Sequence, residues 1–417
     1  MKKNSALVIG GGIAGLAAAL ELARNKISVT LLEAKNRFGG RIHTLREHSF
    51  PVELGAEFVH GRSKPLIEAI RQAKLSLQSV SGNHRIFQNG KFQDLKIWNI
   101  IGDILNRIDS HKPDCSFEKF LAGQKVGEPA RTLIRHFVMG FDAADPDRIS
   151  AHALKRAEYS AEHMEGDQQS RVVEGYSPLV DYFINQVGNH GGRLMTNVRV
   201  RRIRWEKGNV EVLAEEDGRQ KLFSAEAAVV TLPLGVLKTD AVKFEPSLPE
   251  KVEAIRELQV GNVVRIIFHF KDLSWDNFGF IHAPAEPIPT WWSDPRGPVL
   301  IGWAGGPIAD ALLKFSDKQL ETMGLEILAK TLFGLTAAAL RKKLVKVYHF
   351  NWTADPDICG AYSYIPVNGL DLPKVLAAPV ADTLFFAGEA TVMDAQTGTV
   401  FGALESGLRA AKEVMST

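Results

Sequence analysis

The stretch ALVIGGGIAGLAAALEL, residues 6–22, decides the fold of this chain. Its first four residues form a short apolar run typical of a buried strand, and Leu16, Leu20 and Ala23 then lie on one face of a helix. The segment SVTLLE, residues 28–33, predicts a second strand. The chain therefore opens with a strand, a glycine-rich turn, a helix and a strand, as a βαβ unit does.

Three glycines in this turn have the spacing G-x-G-x-x-G. Gly10 allows a tight turn, Gly12 lets the backbone approach a pyrophosphate, and Gly15 permits close packing of helix on strand. The helix N-terminus faces the phosphates, and Glu33 closes the second strand with a carboxylate for a ribose hydroxyl. Glycine turns are common, but the strand, helix and acid together predict a dinucleotide site.

A second glycine-rich turn, AKNRFGGRIHT, follows Glu33 at once. Gly39 and Gly40 stand beside Arg37 and Arg41, so the backbone and a guanidinium can both approach a diphosphate. A solvated basic turn is the alternative. In combination with the first motif, this turn favours FAD over NAD.

Composition limits the kind of partner. The chain has 417 residues, enough for more than one domain, and its 50 basic and 48 acidic residues leave a formal charge of +2. This balance gives no field that would attract nucleic acid or an anionic membrane, so we expect a small-molecule substrate. Cys115 and Cys359 lie in no metal-binding pattern, which predicts no metal site and a reducing, cytoplasmic compartment.

No segment is predicted to target the chain or to cross a membrane. Lys2 and Lys3 before an apolar run look like a signal peptide, but that run carries glycines at fixed offsets and has no evident cleavage site. Elsewhere the apolar runs are shorter than the ~18 residues of a membrane helix.

The fold class predicted is α/β, with two domains that exchange the chain. A Rossmann-like FAD-binding domain, a parallel sheet with helices, is interleaved with an α+β substrate-binding domain that contains a mixed sheet and helices. The FAD-binding domain is expected to comprise residues 1–75, 172–243 and 376–417, and the substrate-binding domain residues 76–171 and 244–375. Apolar spacing of three to four residues predicts mainly helices across residues 65–161.

Eight motifs, in this order, carry a resemblance to a known family. They are VIGGGIAGLAAALEL, EAKNRFGGR, VELGAEFVHG, VVEGYSPLVDYF, VVTLPLGVLK, GNVVRIIFHF, GAYSYIPVNG and LFFAGEATVMDAQTGTVFGALESGLRAA. The chain resembles the flavin-containing amine oxidases, which include polyamine oxidases, monoamine oxidases and the oxidase domain of lysine-specific histone demethylases. The resemblance covers almost the whole chain except the segment of about residues 80–165.

The resemblance implies a set of FAD contacts. Val198 matches the position whose backbone contacts adenine, and Trp352 matches a tryptophan near the flavin ring. Glu389 ends a predicted buried strand, where its carboxylate can accept from a ribityl or phosphate-adjacent hydroxyl. Ala361 stands where monoamine oxidases have the cysteine that bonds the flavin, so the FAD is expected to be noncovalent. The cofactor-binding candidates are Gly10, Gly12, Ala14, Gly15, Glu33, Ala34, Arg41, Gly55, Ala56, Glu57, Val198, Trp352, Gly388, Glu389, Thr399 and Val400.

The resemblance also implies four catalytic candidates: Arg265, Tyr362, His60 and Trp303. Tyr362 matches the aromatic wall that aligns the amine, and Trp303 matches a substrate-pocket position, with a core tryptophan as the alternative. His60, with Glu57, is a candidate amine contact, and an ordinary loop histidine is the alternative.

Arg265 is a permanent charge within the apolar strand GNVVRIIFHF. Strand alternation alone allows an ordinary explanation, in which Arg265 points out of a half-buried sheet. Most members of the family have at this position a lysine held through a water to flavin N5. We therefore hypothesise that Arg265 points at the flavin edge and supplies a fixed positive charge there.

The activity that the resemblance implies is FAD-dependent oxidation of an amine to an imine, which hydrolyses to an aldehyde and an amine or ammonia while O2 becomes H2O2. The alternatives are a flavin-dependent desaturase, an amino-acid oxidase, or a binding module with structural FAD. Because the chain stops right after its last predicted helix, it is expected to be soluble. The substrate stays open; Glu57, Glu174, Asp142 and Asp145 are candidate carboxylates for a distal ammonium.

Overall fold

The computed structural model describes residues 3–80, 82–128, 130–163, 165, 168–276, 278–394 and 396–417. Up to residue 225 the strands are β1 (Ser5–Ile9), β2 (Ser28–Leu32), β3 (Thr44–Leu45), β4 (Val52–Glu53), β5 (Phe58–His60), β6 (Leu77–Ser79), β7 (His84–Gln88), β8 (Lys91–Leu95), β9 (Gln169–Val172), β10 (Arg193–Met195), β11 (Val198–Glu206), β12 (Asn209–Glu216) and β13 (Arg219–Ala225). After it they are β14 (Ala227–Val230), β15 (Lys243–Glu245), β16 (Gln259–Gly261), β17 (Val263–Phe270), β18 (Phe280–His282), β19 (Thr290–Asp294), β20 (Val299–Gly305), β21 (Leu344–His349), β22 (Tyr362–Tyr364) and β23 (Leu384–Phe386).

The helices lie in three groups along the chain. The first group is α1 (Ile13–Arg24), α2 (Lys64–Gln72), α3 (Ile97–Leu105), α4 (Phe117–Ala122), α5 (Ala130–Phe141), α6 (Ala151–His163) and α7 (Ser177–Asn189). The second is α8 (Leu234–Leu237), α9 (Pro249–Glu257), α10 (Gly306–Leu312), α11 (Asp317–Leu328), which continues as a π-helical turn, and α12 (Ala337–Arg341). The third is α13 (Leu372–Ala377) and α14 (Val400–Ser416).

A five-stranded parallel sheet has the order β10-β2-β1-β14-β23. Its central strands are buried on both faces, as expected of a parallel sheet. One face packs on α1, α7 and α14, and Gly407 allows a close approach because a Cβ there would lie 2.1 Å from the Ala14 carbonyl oxygen. The other face packs against the sheet β13-β12-β11-β15. The predicted βαβ unit is thus the centre of this layer.

A seven-stranded mixed sheet has the order β21-β17-β20-β19-β18-β7-β8. Its strands pair antiparallel except for β18 with β7. The helices α10 and α11 cover one face through an apolar core, and the other face borders a large cavity. All eight residues of β17 are buried, so the outward-pointing explanation for Arg265 is wrong.

One part of the helical prediction for residues 65–161 is also wrong. The segment His84–Leu95 is the hairpin β7-β8, which extends the seven-stranded sheet through the pairing of β7 with β18. Its alternation is weak because β8 is largely exposed, so the partner strand, distant in sequence, determines its conformation.

The two large sheets draw on different parts of the chain. Every strand of the five-stranded sheet falls within residues 1–75, 172–243 and 376–417, and every strand of the seven-stranded sheet within 76–171 and 244–375. A three-stranded sheet, β5-β9-β6, combines strands from both sets. The domain boundaries stay a prediction. Within the described residues, no helix is both long enough and apolar enough to cross a membrane.

Candidate active site

A cavity of about 940 Å³ extends from the glycine turn to the inner face of the seven-stranded sheet. All four catalytic candidates line it, and so do all the cofactor-binding candidates except Gly15. Gly15 lies behind the turn, where a Cβ would come within 2.0 Å of the Gly10 carbonyl oxygen. Its role is therefore the close packing of helix on strand, and it does not itself contact the cavity.

The glycine turn presents free backbone to the cavity. Gly12 is the N-cap of α1 without a side-chain hydrogen bond, and a Cβ at Gly12 would meet no atom within 4 Å. Gly10 has a φ of 105°, which strongly favours glycine. The first amides of α1 thus face open space, as a helix N-terminus that binds pyrophosphate requires.

Glu33 lies at the end of β2 beside this turn. Its carboxylate accepts hydrogen bonds from the amides of Gly11 (2.7 Å) and Lys35 (2.8 Å). Burial raises its pKa above the usual range despite these bonds. The Val198 amide donates to the Glu33 carbonyl oxygen at 2.8 Å, so this amide is not available to adenine, and any backbone contact with adenine would have to use the Val198 carbonyl.

Gly55 brings the backbone against the predicted flavin region. A Cβ at Gly55 would lie 1.9 Å from the Arg41 carbonyl oxygen and 3.1 Å from the Trp352 ring. The Trp352 indole donates to the Leu54 carbonyl oxygen at 3.0 Å, which fixes the ring beside Gly55. This position therefore excludes every side chain.

Glu389 connects three segments at the same end of the cavity. It accepts from the Arg41 guanidinium (2.9 Å), the Ser363 hydroxyl (2.6 Å) and the Gly398 amide (3.0 Å). Burial opposes ionisation, but Arg41 and Ser363 outweigh it and lower the pKa of Glu389. A hydroxyl of a bound cofactor would join a carboxylate that is already ionised and fixed in place.

The final helix begins next to Glu389. Thr399 is its N-cap, and its hydroxyl accepts from the Gly402 amide at 3.1 Å. Val400 is the first helical residue, and both residues line the cavity. The positive end of the α14 dipole is thus directed to the cavity, where it favours a developing negative charge.

Arg265 forms a buried ionic cluster on the inner face of the seven-stranded sheet. Its guanidinium donates to Glu57, and Arg171 donates to the other carboxylate oxygen. The Trp292 indole donates to both oxygens, at 3.2 and 3.3 Å. The side chains of Glu57, Arg171 and Arg265 are only 1%, 3% and 6% exposed.

The cluster determines the charge state of Glu57. Desolvation alone would raise its pKa, but Arg265 and Arg171 outweigh this effect and lower it. With both oxygens occupied by three donors, Glu57 is a poor candidate to bind an amine directly. The Nε atom of Arg265 has no hydrogen-bond partner in the described part of the chain.

Tyr362 and Trp303 are walls of the cavity joined to the end of α5. The Tyr362 hydroxyl donates to the Phe141 carbonyl oxygen (2.9 Å), and the Trp303 indole donates to that of Gly140 (2.8 Å). A Cβ at Gly398 would lie 2.7 Å from the Tyr362 ring, so the turn before α14 packs directly on it. Two aromatic side chains thus stand at fixed positions around the space beside Glu389.

His60 lies on β5 among aromatic rings, 5.6 Å from Phe141 and 6.0 Å from Phe58 between ring centroids. Burial lowers its pKa to about 4, so the imidazole is neutral at pH 7. Its Nδ1 atom makes no hydrogen bond to any described residue. The neutral His60 ring lies next to Phe141, whose carbonyl oxygen accepts from Tyr362. It can accept one hydrogen bond from a substrate or donate one to it.

The four candidate carboxylates have different positions. Asp142 lines the cavity next to Phe141, and Glu158 of α6 lines it as well. Glu174 is exposed and accepts from the Ser76 amide, while Asp145 accepts from the Asp147 amide; neither lines the cavity. Burial, and then the charge of Glu158, raise the pKa of Asp142 to about 7.

Sequence reasoning missed several residues of this site. Arg171 and Trp292 complete the cluster around Glu57, Glu158 faces Asp142, and His84 and His282 line the far end of the cavity. Arg171 is one buried charge in an otherwise ordinary strand, a signal like that of Arg265. The other residues have no local signal, since their partners are far away in sequence.

An extended dinucleotide with a redox-active ring fits three features of the cavity. These are the glycine turn before α1, Glu33 at the end of β2, and the positive end of the α14 dipole at the opposite end. A Cβ at Gly12 or at Gly388 would meet nothing within 4 Å, which leaves room for such a group along the cavity. Aromatic walls close the space beyond it. These features define the class of FAD-binding oxidoreductases.

Comparison with known proteins identifies the family within this class. The family model described as flavin containing amine oxidoreductase matches residues 13–121 and 105–415. "Polyamine oxidase 3" of Oryza sativa subsp. japonica is 33% identical over 98% of this chain and 88% of its own length. "Polyamine oxidase 2" of Arabidopsis thaliana is 31% identical over 99% and 88%.

Solved structures share the fold at lower identity. A putrescine oxidase with bound putrescine has a TM-score of 0.84 at 20% identity and covers 100% of both chains. The cyclohexylamine oxidase from Brevibacterium oxydans has a TM-score of 0.83 at 19% identity and covers 99% of both.

The chain belongs to the flavin-containing amine oxidoreductase family. It uses FAD, and it catalyses the FAD-dependent oxidation of an amine. The expected fold class, cofactor and reaction are thereby confirmed.

Proposed function

We propose that the amine carries a second cationic nitrogen, as diamines and polyamines do. The observation that supports this is the pair Asp142 and Glu158 on the cavity wall, next to the aromatic walls at Tyr362 and Trp303. The named relatives include polyamine oxidases, and one structural neighbour holds putrescine.

The electrostatics of the pair favour a cation. The carboxylate of Asp142 accepts no hydrogen bond from a described residue, and burial with Glu158 nearby raises its pKa to about 7. An ammonium placed between the two carboxylates would relieve their repulsion and lower that pKa. A charge-assisted hydrogen bond of this type stabilises a complex by about 1.5–3 kcal/mol.

The aromatic walls suit the reacting nitrogen, which must be neutral to be oxidised. Tyr362, Trp303 and the neutral His60 offer an apolar, desolvated space, and desolvation lowers the pKa of an ammonium. FAD supplies the hydride acceptor for the αC–H bond. The protein residues hold the chain of the amine, exclude water and keep the two nitrogens in different electrostatic surroundings.

Arg265 is proposed to act on the flavin edge, held there by Glu57. A guanidinium stays charged throughout catalysis, and its position is fixed by ionic partners in the sheet. If this role is right, Arg265→Lys changes the rate of the reductive or of the oxidative half-reaction. If Arg265→Lys and wild type have the same rate in each half-reaction, Arg265 has only a structural role.

The remaining finer statements are also proposals. FAD is proposed to be bound noncovalently, since Ala361 offers no nucleophile beside the predicted flavin ring. A cytoplasmic location is proposed because Cys115 and Cys359 are both free.

Anaerobic flavin bleaching tests the substrate class. The panel comprises free polyamines, acylated polyamines, aromatic monoamines and α-amino acids, each mixed with wild type, Asp142→Asn and Glu174→Gln. Diamines and polyamines should reduce the flavin fastest. Asp142→Asn should lower the affinity for these substrates about 10- to 100-fold and leave the affinity for monoamines unchanged.

Glu174→Gln is the matched control, because it makes the same replacement of a carboxyl by a carboxamide at an exposed site outside the cavity. Fast reduction by α-amino acids alone would mean an amino-acid oxidase. A yellow protein that no amine bleaches, and that produces no peroxide, would favour a structural FAD.

A further inference from the structure

A pair of histidines lies at the end of the cavity, away from the glycine turn. The His84 Nδ1 and His282 Nε2 atoms are 2.9 Å apart, and the two rings are nearly parallel. His84, which is 8% exposed, also stacks on Phe280 with a centroid distance of 4.8 Å. Both histidines line the cavity.

A row of paired residues connects this end of the cavity to Arg265. His282 of β18 pairs with Thr290 of β19, Thr290 with Trp303 of β20, and Trp303 with Arg265 of β17. Residues paired in this way share one face of the sheet, and all four line the cavity. Three strand spacings separate His282 from Arg265, or about 14 Å, which is the length of an extended chain of roughly ten bonds.

Both imidazoles are neutral at pH 7. Burial lowers the pKa of His84 to about 4, and burial together with His84 and His136 lowers that of His282 to about 3. No carboxylate is among the groups that shift either pKa. The two neutral rings themselves therefore offer no negative charge to a buried ammonium, and an uncharged group suits them better.

The hydrogen bond between the rings determines what they can offer to a ligand. One inner nitrogen donates and the other accepts, whichever tautomers are present. Since each neutral ring carries one N–H and one lone pair, the outer nitrogens, His84 Nε2 and His282 Nδ1, must then be one donor and one acceptor. Neither has a hydrogen-bond partner in the described part of the chain. Exchange of the tautomers swaps the two roles, so either nitrogen can meet a donor or an acceptor.

We propose that the His84–His282 pair is a distal subsite for an uncharged hydrogen-bonding group, in particular a secondary amide, at the far end of the amine substrate. Phe280 and Trp98, which meets His84 edge-on, provide apolar walls on which a planar amide can lie. This inference deepens the proposed function, because it assigns the end of the substrate opposite to the reacting nitrogen. In a substrate with three nitrogens, acylation of the far one leaves the middle nitrogen as the charged one, and Asp142 and Glu158 on the cavity wall can pair with it.

Two ligands that the enzyme cannot oxidise separate the two parts of the cavity. N-butylacetamide is a neutral secondary amide, and butyltrimethylammonium is a permanent cation. Calorimetric binding to the holoenzyme is measured for wild type, His282→Phe, His84→Phe, His282→Gln and Asp142→Asn. The visible spectrum of the flavin and the midpoint of thermal unfolding show whether each variant is folded.

The amide should bind to wild type and lose about tenfold or more in affinity in His282→Phe or His84→Phe, because each removes a nitrogen that faces the ligand. His282→Gln should retain binding within about threefold, since a carboxamide also presents a neutral donor and acceptor. The affinity for the cation should be the same in these histidine variants as in wild type, and it should be lower in Asp142→Asn.

The results distinguish this inference from the proposed function. If the amide does not bind, or binds equally to wild type and both phenylalanine variants, the histidine subsite is refuted. If only the response of the cation to Asp142→Asn is missing, the second cationic nitrogen is wrong and the subsite stands. Should His84→Phe fail to fold, the contrast between His282→Phe and His282→Gln decides the question.

Discussion

Replacement of Glu57 by glutamine tests the buried cluster most directly. The change keeps the shape of the side chain but removes the negative charge that Arg171 and Arg265 both contact. Two guanidinium groups, each under a tenth exposed, would then share an uncharged partner. Removal of one partner from a buried ion pair destabilises a protein by about 3–5 kcal/mol, since a charge stays buried without compensation.

Urea unfolding followed by tryptophan fluorescence measures this cost. With an m value of roughly 3 kcal/mol/M, the midpoint of Glu57→Gln should fall by roughly 1 to 1.7 M. The double variant Glu57→Gln/Arg265→Met should recover part of the loss, because it buries one unpaired charge fewer.

Glu68→Gln is the control for the loss of a single charge. Glu68 pairs with Arg71 on the exposed side of α2, and an exposed pair of this kind contributes little. A shift for Glu57→Gln no larger than that for Glu68→Gln would refute the reasoning. The ionic cluster would then contribute little to the free energy of unfolding.

Three further changes test the turn, a buried histidine and the last helix. Gly55→Ala should abolish FAD binding, read from the ratio of absorbance at 450 and 280 nm, because its Cβ would lie 1.9 Å from the Arg41 carbonyl oxygen; Gly188→Ala, at an open helical position, should retain FAD. Burial lowers the pKa of His84 to about 4, so between pH 6.5 and 4 the imidazole takes up a proton in the unfolded chain and stays neutral in the folded protein. The free energy of unfolding should therefore fall by up to about 3 kcal/mol as the pH drops from 6.5 to 4. His84→Phe should flatten this part of the urea-midpoint profile, and an unchanged slope would contradict the assignment. Thr399→Val removes the side-chain cap of α14 and should cost about 1 kcal/mol by the same urea assay, whereas Thr399→Ser should cost little.

Much of the nucleotide end of the site could be predicted from the sequence. The G-x-G-x-x-G turn and Glu33 each depend on neighbouring residues, so spacing along the chain was sufficient to find them. Gly15 was assigned to the correct motif, although it packs behind the turn and does not contact the cavity. The hairpin His84–Leu95 was missed because its strand partner comes about 200 residues later.

The chemistry of the substrate end needed the tertiary structure. Glu57 meets Arg171 across 114 residues of sequence and Arg265 across 208, and His84 meets His282 across 198. A local pattern indicates that such a residue is buried or polar, but it carries no information on the partner that satisfies its charge or hydrogen bond.

The sequence by itself determined that this chain binds FAD and belongs to the amine oxidase class, because a dinucleotide is recognised by backbone turns and helix ends that short motifs encode. Only the tertiary structure decided that Arg265 is neutralised by Glu57, that Asp142 and not Glu174 lines the cavity, and that two distant histidines face its far end. The physical reason is that pairing of buried charges and alignment of strands into one sheet are set by contacts between distant segments.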